Sequence, residues 1–277
     1  MNKNIDREVV DDFGKEWIKF DQSNVRFDEL EEIFQKYFSL FSFENLSENA
    51  EGFDLGCGSG RWAYFCASRV GTLHCIDPST ASLEVTKNKL KGFTNCHFHN
   101  SSVDDIPLDN DSMDFGYSLG VLHHIPDTQE GINSCVKKLK TGAPFLLYLY
   151  YDFDNKPYWY KFIWKISDYL RRIISKAPYP IKYTASQVIA LFVYLPLTRI
   201  TRMLESFGLP VSNIPLSSYR DKSFITLRTD ALDRFSTRLE QRFTKEQIRE
   251  MMQLAGLNHV EFREEQPFWC AIGYKTI

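Results

Sequence analysis

Between two apolar runs the chain reads Phe53-Asp54-Leu55-Gly56-Cys57-Gly58-Ser59-Gly60-Arg61-Trp62. Glycines at three alternate positions, directly after a strand-like run and before a helix-like one, let the backbone turn tightly and aim helix-start amides at a ligand. A loop built for a dinucleotide pyrophosphate carries its third glycine three residues after the second, at position 61, and this chain has Arg61 there. The next apolar run ends Cys75-Ile76-Asp77-Pro78, which puts a carboxylate 23 residues beyond Asp54. At the carboxyl end of a parallel strand such a side chain can accept both hydroxyls of a ribose; alternatively it caps the turn into a helix starting near Ser79.

A second constellation follows the run Met113–Ser118, where His123 and His124 stand together. Imidazole is the usual side-chain base near neutral pH, so His123 is the first candidate catalytic residue and His124 the second. Both could instead fill a strand-to-helix junction. His97 and His99 alternate with Phe98 and read as structural. The six cysteines include no Cys-x-x-Cys pair and the histidines no His-x-x-x-His pair, so no metal is expected and the cysteines read as reduced core thiols.

These residues need a scaffold, and the periodicity supplies one. From 51 to 150, short apolar runs (Gly52–Leu55, Thr72–Ile76, Cys96–His99, Met113–Ser118, Pro144–Tyr150) alternate with helical patterns, the rhythm of βα units around a parallel sheet. Asp127-Thr128-Gln129-Glu130 has capping-box form, and Ile132, Cys135, Val136 and Leu139 give one apolar face before a stop at Gly142. Thr244-x-x-Gln247 opens a last helix that stops at Gly256, followed by strands predicted at Asn258–Arg263 and Phe268–Tyr274.

Three ordered segments resemble the class I S-adenosylmethionine-dependent methyltransferases, in their type 11-like, small-molecule branch: Asp54 to Gly60, Asp77, and Asp114-Phe115-Gly116-Tyr117-Ser118-Leu119-Gly120-Val121-Leu122-His123-His124-Ile125-Pro126-Asp127. The ending from Phe243 to Leu257 is similar too. The resemblance covers residues 51–150 and 243–277. It implies an α/β, Rossmann-like seven-stranded sheet, parallel except for strand seven, with helices on both faces and a helical insertion after strand five. It also implies S-adenosyl-L-methionine as cofactor and S-adenosyl-L-homocysteine as product. The implied cofactor residues are Asp54, Gly56, Cys57, Gly58, Gly60, Asp77 and Pro78, with Leu119 and Gly120 at the methionine end. Many relatives carry an acid after strand three to meet the adenine; here Ser102 stands in that place, which leaves adenine to Ser102 and Val103, or to Asp104 in a shifted register.

The remaining chain suggests how an acceptor is held. Residues 1–50 read as an N-terminal helical cap, 51–150 and 224–277 as the cofactor-binding core, and 151–223 as a helical lid or acceptor-binding insertion. Phe13-Gly14-Lys15-Glu16-Trp17 is either an amphipathic helix on the core edge or, like a Phe-Gly-x-Glu-Trp segment of some small-molecule methyltransferases, a closure over cofactor and acceptor; Phe13 and Trp17 are the candidate contacts. Tyr151, Tyr219 and Arg220 are further candidates. Within the insertion, apolar residues from Trp159 to Ile174 recur at helical spacing beside lysines and arginines. Its expected role is a lid packed on the sheet; a wall for a bulky acceptor, a homodimer contact, or peripheral membrane contact through 157–202 are the alternatives. The longest uncharged stretch, Tyr183 to Thr198, has 16 residues and contains Pro196, short of a bilayer span.

Composition narrows the partners. The 277 residues carry 33 basic and 36 acidic side chains, a net charge of −3, so no global field draws the protein to nucleic acid. An aromatic content of 15% is high for a globular chain and requires a structural explanation. The first residues are polar and charged where a secretory signal would be apolar, and the cytoplasm is the expected compartment. The expected function is methyl transfer to a small-molecule, saccharide or lipid-linked acceptor, with oxygen favoured over nitrogen or carbon. A catalytically silent scaffold or membrane-surface binding protein is one alternative, and an NAD(P)-dependent oxidoreductase a weaker one because of Arg61.

Overall fold

The computed structural model describes residues 4–276. Two compact units divide the chain: residues 4–22, 30–152 and 239–276 form the first, and residues 23–29 with 153–238 the second. The domain boundaries expected from composition are therefore corrected at two places. A short piece of the leader joins the second unit, and so does the helix at Phe224–Ser236, which had been expected in the core. Its apolar side explains the shift, because Leu227, Ala231 and Phe235 pack with Ala190 and Tyr194 of the insertion.

The first unit is built on a seven-stranded sheet: β1 (Glu51–Leu55), β2 (Thr72–Ile76), β3 (Cys96–His99), β4 (Phe115–Leu119), β5 (Pro144–Tyr148), β6 (Leu257–Phe262) and β7 (Cys270–Lys275). The spatial order is β3-β2-β1-β4-β5-β7-β6, with β7 antiparallel to both neighbours and the other pairings parallel. The reversal between β1 and β4 places the ends of β1, β2 and β4 at the topological switch point, where open α/β sheets receive ligands. Strand β4 is buried along its whole length, as a central parallel strand must be.

Helices cover both faces. Phe34, Trp62, Phe65, Leu73 and Tyr117 belong to one core cluster, and Phe53, Ile76, Ile132, Phe145 and Ile248 to the other. Much of the aromatic excess is in the first cluster, where Phe34 stacks on Phe38 at 4.3 Å and on Phe65 at 4.8 Å. The unit's helices are α1 (Arg7–Lys19), the body of α2 (Phe27–Tyr37), α3 (Arg61–Ala67), α4 (Thr80–Lys89), α5 (Thr128–Val136) and α10 (Lys245–Leu254). The sequence-level caps hold: Asp127 accepts from Glu130 N–H, and Thr244 with Gln247 forms a reciprocal capping box.

The second unit is helical: α6 (Tyr158–Ile174), α7 (Tyr179–Ile189), α8 (Leu195–Ser206) and α9 (Phe224–Ser236). A π-turn at Ala190–Tyr194 joins α7 to α8, so Tyr179–Ser206 is one unbroken 28-residue helix. By length and composition this helix could cross a membrane, which corrects the expectation drawn from its 16-residue uncharged stretch. Pro196 does not interrupt it because the proline falls in the first turn of α8, beside the π-turn. Pro157 stands at the N-cap of α6, just outside the helix. The apolar stripe of α6 is exposed, contrary to the expected buried lid face. What α6 buries is polar: Asp168 holds Arg171 and Arg172 at 2.7 and 2.8 Å, and Arg171 also donates to the Thr237 carbonyl at 2.8 Å.

Candidate cofactor and acceptor site

The glycine loop leaves β1 with Gly56 and Cys57 N–H both donating to the Ile76 carbonyl, at 2.7 and 3.2 Å. Gly56, Gly58 and Gly60 all have positive φ, +77°, +56° and +71°, which explains the alternate spacing. Gly58 is under a further demand. A β-carbon there would lie 2.9 Å from Trp17 Nε1. Gly58→Val is therefore expected to destabilise the protein by about 2 kcal/mol and to weaken cofactor binding. Thermal unfolding and calorimetry check this, and a variant normal in both would show that the loop tolerates a side chain.

Asp77 follows β2 and is buried. Its two carboxylate oxygens accept from Gly58 N–H at 3.0 Å and Ser79 N–H at 2.8 Å, tying the glycine loop to the start of α4. Burial pushes its pKa up to about 6, against the opposing pull of these amides. The structure thus shows Asp77 in the capping role, with one oxygen on the helix start and the other on the glycine loop. Asp54, facing Tyr117 in the β1–β4 register, is buried and raised to about 8 by desolvation. Thr86 Oγ1 donates to the Gly58 carbonyl at 2.8 Å and fixes the loop from α4. Asn100 Nδ2 donates to the Asp77 and Pro78 carbonyls at 3.1 and 3.0 Å, holding the end of β2 open.

Helix α1 lies against this loop. Trp17 meets Gly58 and sits 5.5 Å from the Arg61 guanidinium, while a β-carbon on Gly14 would come 2.5 Å from Ser79 Oγ. Gly14 is therefore the residue that lets α1 approach the beginning of α4. Asn4 anchors the approach to α1: its side chain exchanges two hydrogen bonds with the Asp127 backbone, both at 2.7 Å, and its N–H donates to Asp104 at 2.5 Å. Asp104 is thereby engaged with the leader, whereas Ser102 and Val103 open a short turn after β3.

Behind β4, Gly120 has φ +82° and open space where a side chain would stand, and buried Leu119 precedes it. His123 and His124 follow in a short 3-10 turn, with ring centroids 4.0 Å apart. His123 is 0% exposed, stacks on Tyr150 at 3.8 Å, and has no hydrogen-bond partner at either ring nitrogen. Burial first, then the charges of His124 and Arg242, holds its pKa well below the usual histidine value, so the ring is a neutral imidazole at pH 7. Arg242 lies 5.1 Å from the Tyr150 ring. His124 Nδ1 donates to the Leu239 carbonyl at 2.7 Å, which fixes its tautomer, and Phe13 of α1 packs on its ring at 5.1 Å.

The structure thus brings together the glycine loop, Asp77, Trp17 and Gly14 on one side, and His123, His124, Phe13 and Tyr150 on the other. Tyr151 turns to Phe268 and Trp269, at 5.5 and 6.5 Å. Tyr219 and Arg220 belong to the second unit, where Tyr219 donates to Asp230 and Arg220 pairs with Glu205 at 2.5 and 2.8 Å. Sequence reasoning missed Asn4, Tyr150 and the 239–243 segment, whose Gln241 N–H donates to the His123 carbonyl at 3.0 Å. The one legible signal was the aromatic run Tyr148-Leu149-Tyr150-Tyr151 at the end of β5. Among the described residues no cluster of three or more His, Cys, Asp or Glu side chains is placed to hold a metal.

The positive-φ loop, the buried Asp77 carboxylate bound to it and the open space at Gly120 are the features of this unit that could hold a cofactor. No curated protein matches the chain by sequence. Residues 53–142 match the family model described as a methyltransferase domain. Among solved structures, the candidate methyltransferase of Haloferax volcanii, in complex with the Trm112 methyltransferase activator, aligns at 14% identity with a TM-score of 0.51, over 96% of this chain and 98% of that one. A candidate exported protein from Bordetella parapertussis aligns at 13% identity and TM-score 0.52, over 89% of this chain and 68% of the other. The fold is shared with both, and the match to the methyltransferase domain falls on the segment carrying the loop, Asp77 and the histidine pair.

Proposed function

We propose that the enzyme methylates a hydroxyl group of a small-molecule, saccharide or lipid-linked acceptor, with His123 as the general base. The observation that carries this reading is His123 itself, a fully buried neutral imidazole with no hydrogen-bond partner. A buried polar group without a partner is uncommon in a folded protein and requires an explanation, and an acceptor hydroxyl would supply the missing bond.

The cofactor's sulfonium, when bound, supplies an electrophilic methyl carbon and leaves as a neutral thioether. The protein's contribution is alignment and removal of one proton. Asp77 would accept the ribose hydroxyls, the amides of Gly56 to Gly60 would face the same ligand, and Leu119 with Gly120 would line its methionine end. Ser102 and Val103 would meet the adenine. His123 would take the hydroxyl proton as the oxygen bonds to the methyl carbon, which its neutral state permits. Trp17 and Phe13 of α1, already against the loop and His124, would exclude water from both partners.

Calorimetric titration with S-adenosylhomocysteine, with NAD and NADP in parallel, tests the site. Selective binding of S-adenosylhomocysteine is expected. Affinity for either nicotinamide dinucleotide alone would overturn the reading. Transfer of a labelled methyl group to hydroxyl, amine and carbon acceptors then tests the atom.

A further inference from the structure

Two helices of the second unit, α6 and Tyr179–Ser206, bury polar side chains and expose large apolar ones. In α6, Asp168 and Arg171 are buried, as is Ser175 at its C-cap, whereas Phe162 is 65%, Ile166 52% and Ile173 55% exposed. Spacings of i, i+4 and i+11 place the latter three on one stripe, with Tyr169 and Leu170 beside them, also exposed. The Tyr179–Ser206 helix repeats the inversion. Its buried stripe is Lys182, Ser186, Ala190, Tyr194, Thr198 and Thr201, while Ile181, Val188, Leu191, Phe192, Ile200 and Met203 are exposed. Only 22% of its apolar stretch is buried. In water this arrangement forfeits the free energy of burying large apolar side chains, and contiguous apolar surface of this kind marks an interaction face.

The charge distribution identifies what covers it. Residues 156–202 contain nine lysines and arginines and one acid, Asp168, in a chain whose net charge is −3. Asp168 is buried against Arg171, so the field at the surface is positive. Lys161, Lys165 and Arg172, at i, i+4 and i+11, run along one edge of the apolar stripe of α6. A two-fold interface with a second copy would set this basic face against itself, whereas anionic lipid headgroups complement it. We infer that the second unit docks on a lipid bilayer, with the apolar stripes of α6 and Tyr179–Ser206 in the acyl boundary and the flanking cations on anionic headgroups. Trp159, half exposed at the head of α6, suits the headgroup level. The inference uses none of the cofactor or acceptor assignments.

Flotation of the full chain with phosphatidylcholine vesicles, with and without phosphatidylglycerol, tests it. The protein is expected to float with the mixed vesicles and to bind phosphatidylcholine alone roughly tenfold more weakly, with salt removing the difference. The double variant Phe162→Ser, Ile166→Ser should lower partitioning by about a hundredfold, since it removes two large apolar side chains from the lipid boundary. Its unfolding temperature and S-adenosylhomocysteine affinity should stay unchanged, and these readouts separate a failed membrane inference from a failed cofactor site. Absence of flotation on both vesicles, a double variant that floats like the parent, or one with a lowered unfolding temperature would overturn the inference. A stable dimer that does not float, and that the same substitutions dissociate, would assign the face to a second copy instead.

Discussion

Replacing Asp77 by alanine is expected to reduce affinity for S-adenosylhomocysteine by roughly a hundredfold, which is about 3 kcal/mol. The size follows from what the carboxylate does. It accepts from Gly58 and Ser79 amides and so sets the distance between the glycine loop and α4. In the proposed complex it also accepts ribose hydroxyls, and hydrogen bonds to a charged group are each worth about 1.5–3 kcal/mol. Alanine removes the ligand contact and leaves two amides without their acceptor. Asp77→Asn keeps an acceptor oxygen and should lose less. An alanine variant with parental affinity by calorimetry would take Asp77 out of the cofactor site and leave it a cap.

The same carboxylate makes binding depend on pH in a direction opposite to its effect on folding. Its pKa is raised from 3.8 to about 6 by burial. The folded chain therefore holds this proton more tightly than the unfolded chain does. Its contribution favours folding at low pH and is withdrawn as pH rises from 3.8 through about 6. Ribose hydroxyls, being donors, require the ionised form. Affinity for S-adenosylhomocysteine should thus be level above pH 6 and fall below it, and the fall should vanish in Asp77→Asn.

How much of this was legible depended on the range of the interaction. The glycine loop, Asp77, the N-cap at Asp127 and the capping box at Thr244 are local signals: a turn, a strand end or a helix start imposes residue types within a few positions. The short apolar runs likewise placed β2 and β3 at their observed bounds and the other strands within a few residues. Asn4 was not legible, because its partners, Asp104 and Asp127, are more than ninety residues away in the chain and nothing at position 4 announces them. Tyr150 and Arg242 were missed for the same reason. In α6 the periodicity was read correctly and its consequence wrongly. The apolar stripe from Phe162 to Ile173 was assigned to a buried face, yet the fold buries Asp168 with Arg171, a choice governed by the Thr237 carbonyl across the unit. A stripe shows which residues share a face; only tertiary contacts show where that face points.

The second large effect is expected at His123. Two physical roles compete for this residue, packing against Tyr150 and removal of a proton, and Ala would abolish both. Phenylalanine separates them, since a planar apolar ring keeps the 3.8 Å stack and the complete burial but has no nitrogen. As a base, His123→Phe should lower kcat by roughly 10²–10⁴-fold with unfolding temperature and S-adenosylhomocysteine affinity intact. As a packing residue, the variant should turn over normally. The pH profile gives an independent check. Because burial and the neighbouring charges of His124 and Arg242 hold the imidazole well below its usual 6.5, the base is already neutral across that range. At saturating cofactor the rate should show no histidine-type loss on acidification through pH 6.5, and should fall only at lower pH. A rate that instead halves near the ordinary histidine pKa would point to an exposed base, and would move the proton transfer away from the ring stacked beneath Tyr150.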